Sequence, residues 1–286
     1  MIQIHFSFWL AAGLFLALGR LGEFLLLFAA LTAHELSHVA MAKFFGCPLR
    51  QLRLSALGEA ALVPQMHQLP GWKRSCVIAA GPACNALLWG ASWVLEGFFE
   101  APLLASFGLF NGVLFFFNLL PIFPLDGARL AQLWVGNRVG VVRANRGLCR
   151  IGRLLCVGLI LLGIVQAALF FPNFSLLFVG MFLLRRHKDL ASELNAEFYL
   201  AMLDKPSRFP GGIRRARLLC ADANQPLARI VERMGWDGIL LVAVPEWGHQ
   251  LVGEPEIMRH VMESGMAGTV GDLKPTVYRN SSFTRH

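Results

Sequence analysis

His34-Glu35-Leu36-Ser37-His38 places two imidazoles four residues apart, the separation at which side chains stand on one face of an α-helix. Both can then reach a single metal ion. Glu35, directly after the first of them, can accept the proton of a water activated there. With the histidine and glutamate content of this chain, the pattern arises by accident about once in 100 such sequences. It lies within an apolar stretch, residues 22–45, long enough to cross a membrane, where ionisable side chains are costly and mark function. Without a metal, the same residues would form a His–Glu hydrogen-bonded contact between helices. A catalytic zinc site takes three protein ligands and a water, so a third ligand has to come from elsewhere.

Few residues in the apolar stretches can supply it. Asp126 stands out in Asn118-Leu119-Leu120-Pro121-Ile122-Phe123-Pro124-Leu125-Asp126-Gly127. Pro121 and Pro124 interrupt a helical run and free backbone carbonyls. Irregular backbone at membrane depth is tolerated where it is buried in protein or lines a watery cavity. An aspartate just past such a break either reaches a metal in that cavity or caps a helix starting at Gly127-Ala128-Arg129. Two rivals keep the metal but change its use: a membrane zincin with a glutamate third ligand, and a metal transporter with these residues as a transit site.

The elements that position these residues are membrane spans. The chain has 286 residues, 56% hydrophobic and only 15% charged, with net charge +8, against about 45–50% apolar and about 25% charged in an ordinary soluble chain. That composition excludes both disorder and a single soluble enzyme. Six stretches approach the roughly 20 residues a helical span needs: 5–20, 22–45, 75–99, 103–125, 151–171 and 173–185. With the N-terminus cytoplasmic, the inner segments 43–74, 127–153 and 185–188 hold 14 Lys and Arg, and only Arg20 lies outside. The positive-inside rule therefore places both termini in the cytoplasm. A cleavable signal peptide fits poorly, since no basic segment precedes the first apolar run. Residues 190–286 balance 11 basic against 11 acidic residues, so the charge excess is topological and does not point to nucleic acid. Cys47, Cys76, Cys84, Cys149, Cys156 and Cys220 include no C-x-x-C pair and read as structural thiols.

An HExxH in one span followed far downstream by N-x-x-P-x-x-P-L-D-G in another resembles the site-2 protease family of intramembrane zinc metalloproteases. Ala80-Gly81-Pro82-Ala83-Cys84-Asn85 matches a further motif of that family. The resemblance covers about residues 1–189. It implies one Zn2+ per chain on His34, His38 and Asp126, Glu35 as catalytic base, and Asn118 near the substrate strand or the oxyanion. Asn85 either hydrogen-bonds similarly or makes a polar contact between helices. Arg50–Pro64 alternates like a hairpin, where the family carries a membrane-dipping β element; an open edge there could bind an unwound substrate by backbone pairing. His5, His67 and His187 are not expected as ligands, the last two lying at the membrane interface.

The expected architecture is thus a multi-span α-helical membrane protein of six transmembrane helices, residues 1–189. A linker, 190–215, leads to a small α/β domain, 216–286. That domain resembles a single CBS motif: a helix from Pro226, a strand Gly238–Val244, a turn from Glu246 to Gly253, a helix Glu254–Glu263 and a closing Thr269–Leu273. The resemblance implies pairing into a homo-oligomer and an adenine nucleotide, with Glu256 at the place of the ribose-contacting acid. A six-span core with a short CBS-like tail is similar to the stage IV sporulation FB protease subfamily. That implies a membrane-associated substrate such as a sigma or anti-sigma factor, inhibitory membrane protein partners, and a bacterial cell or forespore membrane.

Overall fold

The structure, a computed structural model, describes residues 2–4, 16–17, 19–47, 52–54, 69–99, 101–169, 174–187, 190–203, 216–247 and 251–273. It divides into two compact units, Met1–Ala131 and Gln132–His286.

The first unit is built on α1 (Leu21–Phe44), α2 (Gly71–Glu96) and α3 (Pro102–Asn118). Leucine, alanine and phenylalanine runs favour helix in α1, and Pro102 opens α3 in its first turn, where its missing N–H costs nothing. The helix faces carry an inverted pattern. On α2, Leu87 and Trp93 point outward at 74% exposure each, while Asn85 is fully buried. Polar atoms inside and large apolar side chains outside suit a hydrocarbon surround, not water. Between α2 and α3 the contact is close: Gly108 sits against Ser92 and Gly112 against Trp89, a small-x-x-x-small pair that lets the two backbones approach.

Two short strands lie among the described residues of this unit. β1 (Ile2–Ile4) and β2 (Leu52–Leu54) pair in parallel, Ile2 opposite Leu52 and Ile4 opposite Leu54. Of the hairpin expected over Arg50–Pro64, only Leu52–Leu54 lies among the described residues, as β2, and it pairs with β1 far upstream. Residues 55–68, with His67, and His5 lie outside the described residues.

Past α3 the chain turns irregular from Leu119 to Leu125, with Ile122 and Phe123 buried, before α4 (Asp126–Val139) begins. The helix break expected from Pro121 and Pro124 falls there. The inner segment 127–153, in which no helix was expected, holds α4 and the first turns of α5 (Val141–Leu169). Arg143, Arg146, Arg150 and Arg153 lower the hydropathy of this stretch. Arginine is nevertheless a good helix former, and their spacing of three and four keeps them on one stripe.

In the second unit α5 packs on α6 (Ser175–Arg186), with Gly163 against the Leu177 backbone and Gly180 against Ile160. His187, expected at the interface, is buried at 2% exposure and donates from Nδ1 to the Leu183 carbonyl. Of the expected linker, Leu190–Leu203 forms a helix, α7, with Phe198 and Met202 buried. The C-terminal elements are β3 (Ala216–Cys220), α8 (Leu227–Val231), β4 (Ile239–Ala243), β5 (Leu251–Gly253) and α9 (Glu254–Ser264). Of these, α8, β4 and α9 fall where the sequence placed helix, strand and helix, whereas β3 was not expected and β5 lies within the expected turn. The sheet order is β3-β4-β5, parallel then antiparallel. This sheet is tied to the α4–α5 corner. Val141 N–H donates to the Met234 carbonyl, Asn137 exchanges two hydrogen bonds with Asp237, and Arg143 and Arg146 pair with Glu232. Arg146 holds the Glu232 carboxyl below its usual range. The six cysteines are unpaired thiols.

Among the described residues three helices, α1, α2 and α5, are long and apolar enough to cross a membrane, and α3 is a shorter apolar helix. At 24, 26 and 29 residues the three exceed a hydrocarbon core of about 30 Å at about 1.5 Å per residue. The first expected span, 5–20, lies almost wholly outside the described residues.

Candidate metal centre

Ala30, His34, His38 and Ala42 recur every four residues on α1, and Val77, Gly81 and Asn85 do so on α2. These two ladders face each other. Gly81 is where they come closest: a Cβ there would lie 2.5 Å from Cε1 of His38 and 2.7 Å from Cε1 of His34. Only a residue without a side chain leaves room for both rings. Pro82, the next residue, lacks the N–H that would bond the Ile78 carbonyl one turn back. The Val77 carbonyl accepts a hydrogen bond from His38 Nδ1 at 2.8 Å. Asn85, one turn further on, accepts from His34 Nδ1 through its side-chain oxygen.

With both Nδ1 atoms donating, both Nε2 atoms present lone pairs. They lie 3.2 Å apart, and Asp126 Oδ2 is 3.1 Å from each. Asp126 stands at the start of α4, immediately past the irregular segment. It is buried and faces the two imidazoles, not a solvent-exposed helix end. Gly127 makes that position possible, because a Cβ there would collide with the carbonyls of Leu119 and Leu120.

Three converging acceptors with no proton among them repel unless a cation lies between. A point equidistant from the corners of so small a triangle is about 1.8 Å from each in its plane. The three atoms are therefore close enough together for one zinc ion to reach all of them at its usual roughly 2.0–2.1 Å from imidazole and carboxylate. Two imidazoles and a carboxylate are a ligand set that fits a catalytic zinc. Among the described residues, His34, His38 and Asp126 are the group of three able to hold a metal. Glu35 is buried at 9% exposure, within electrostatic reach of all three.

Asn118 is not drawn into this cluster; its amide donates to the Leu114 carbonyl of its own helix. Glu256 accepts from the Gly253 N–H at 3.2 Å, closing the first turn of α9. Asn111 went unnoticed in the sequence. It is fully buried on α3 and accepts a 2.8 Å hydrogen bond from Asn85 Nδ2. A polar residue inside an apolar stretch is the signal by which it could have been found.

Residues 97–159, which include Asn111 and Asp126, match peptidase family M50. The chain is 26% identical over 193 residues to a zinc metalloprotease of Methanocaldococcus jannaschii, covering 63% of this chain and 55% of that one. It is 31% identical over 147 residues to the stage IV sporulation protein FB of Bacillus subtilis, 51% of each. The solved site-2 protease from Methanocaldococcus jannaschii is similar in structure, with a TM-score of 0.54 and 25% identity over 66% of this chain and 90% of that one. The chain spans about half the length of the curated relatives it matches.

Long helices with apolar outward faces suit a membrane-embedded domain, and the buried His-His-Asp cluster suits a metal centre within it. Its similarities are to peptidase family M50 over residues 97–159 and, over 66% of the chain, to a site-2 protease of known structure.

Proposed function

We propose that the chain is an intramembrane zinc endopeptidase acting at the cytoplasmic side of the bilayer on a membrane-associated protein. The observation that carries this is the convergence of His34 Nε2, His38 Nε2 and Asp126 Oδ2 beside buried Glu35. A zinc ion held by these three atoms supplies Lewis acidity and lowers the pKa of water toward about 7. Glu35 accepts the proton of the attacking water and returns it to the leaving amine. The hydrogen bonds from Nδ1 of His34 and His38 fix both rings so that neither turns during the reaction. A helical substrate keeps its carbonyls engaged, so it has to unwind before attack; pairing along the β1–β2 sheet edge would hold it extended. Asn118 at the end of α3 is the candidate to contact that strand.

In this reading six spans cross the bilayer with both termini in the cytoplasm, supported by the 14 basic residues of the inner segments. Residues 216–286 serve as a CBS-like domain that pairs protomers and offers an adenine-nucleotide site. The similarity to a sporulation protein over half its length favours a sigma-factor precursor as substrate and regulation by membrane partners.

The test is cleavage in proteoliposomes of a candidate sigma or anti-sigma precursor by wild type and Glu35→Gln, with zinc content measured on both. The reading requires cleavage by wild type and its loss in the variant while zinc stays bound. Metal flux without proteolysis would favour the transporter, and an Asp126→Ala protein that keeps zinc and activity would favour the glutamate-ligand zincin.

A further inference from the structure

We propose that Asn111 is a positioning residue for the metal centre, fixing through Asn85 which ring nitrogen of His34 carries the proton. This rests on the zinc-site reading above.

The chain of hydrogen bonds has one direction. Asn111 Nδ2 donates to the Phe107 carbonyl of its own helix at 2.9 Å, and a carbonyl can only accept. That turns Asn111 Oδ1 toward Asn85, where it accepts from Asn85 Nδ2 at 2.8 Å. Asn85 therefore presents its oxygen to His34, whose Nδ1 has to be the protonated nitrogen. Nε2 is left as a lone pair aimed at His38 and Asp126.

An amide by itself has no such preference. Its oxygen and nitrogen occupy nearly the same shape, so rotating Asn85 by half a turn fits the cavity equally well. The rotated amide would donate to Nδ1, move the proton of His34 to Nε2 and place a hydrogen where the metal is bound. Asn85 and Asn111 are both fully buried, so no water corrects the error. The remaining partner of Asn85 Nδ2, the Ala30 carbonyl, lies at 3.5 Å, the limit of hydrogen-bond length. His38 needs no relay, because its Nδ1 faces the Val77 carbonyl directly.

Outer partners of ligating histidines typically change metal affinity by about 10–100-fold when removed. The experiment measures zinc affinity by chelator competition on the full chain in detergent. It compares wild type, Asn111→Leu, Asn85→Asp and the double variant. Leucine keeps the volume and loses both hydrogen bonds; Asn111→Ala is measured beside it in case leucine does not fold. A carboxylate at position 85 accepts from Nδ1 whichever way it is turned, so in that background Asn111 has nothing left to orient.

The expected result is a zinc affinity about 10–100-fold weaker in Asn111→Leu, and no more than about 3-fold between Asn85→Asp and the double variant. If Asn111→Leu binds zinc as wild type does, the inference is overturned. It is equally overturned if the loss from Asn111→Leu persists undiminished in the Asn85→Asp background, since Asn111 then acts only by packing. A wild-type chain that binds no zinc overturns the metal-site reading and this inference with it.

Discussion

Replacing Gly81 by alanine tests whether helix packing and metal geometry are one arrangement. The added Cβ would stand 2.5 Å from His38 Cε1 and 2.7 Å from His34 Cε1, against 3.4–4 Å for ordinary contact. Either the rings retreat by about 1 Å or the α1 and α2 backbones part by a similar amount. Neither ring is free to turn away, since both are held at Nδ1 by Asn85 and Val77 on the same helix that carries the new methyl. Overpacking of this kind costs about 1–3 kcal/mol. Falling wholly on the site, it weakens zinc binding by roughly 5- to 150-fold. Cleavage should suffer further, because a misplacement of about 1 Å can cost about 100-fold in rate. The control is Gly90→Ala on the same helix, where the new Cβ meets nothing within 4 Å. Zinc affinity by chelator competition and cleavage in proteoliposomes should separate the two variants sharply. If Gly81→Ala binds and cleaves as Gly90→Ala does, the close approach read from the structure is wrong.

Further expectations follow from the same geometry. Glu35→Gln should retain stoichiometric zinc while cleavage falls by about 100- to 10,000-fold, the usual scale of general acid–base catalysis; elemental analysis and a cleavage assay check both halves. Asp126→Ala should lose zinc, because a third of the ligand set goes while the paired imidazoles remain; retained metal would point to another ligand. Glu232, its carboxyl held low by Arg146 and Arg143, should stabilise the second unit above the ordinary carboxylate range. That contribution disappears as pH falls through the lowered value. For so exposed a pair it amounts to about 1 kcal/mol at most. The melting difference between wild type and Glu232→Gln should therefore be present at neutral pH and vanish in acid.

Much of the site could be read from the chain because metal chemistry constrains residue type and spacing tightly. His34 and His38 declared themselves by helical periodicity. Asp126 became a candidate by following two prolines, and Pro82 and Asn85 by a familiar motif. Gly81 belonged to that motif too, but its purpose depends on how near another helix lies, which no spacing within one helix reveals. Asn111 was missed because its role is two hydrogen bonds removed from the metal. The extension of α5 below the apolar stretch was obscured by four arginines, which lower hydropathy without lowering helix propensity. Conversely, α8, β4 and α9 fell where their apolar patterns placed them, while β3 and the three-residue β5 were not read, since strands made by pairing leave little signal in so short a run.

The ligand atoms of the centre come from positions 88 and 92 residues apart along the chain. An ion bound between them is a removable crosslink that closes a loop of that length. Its binding free energy is then shared with the association of α1 and the start of α4, as thermodynamic linkage demands. Free zinc concentration would set how firmly this part of the bundle is shut, and chelation would loosen the packing as well as stop the chemistry.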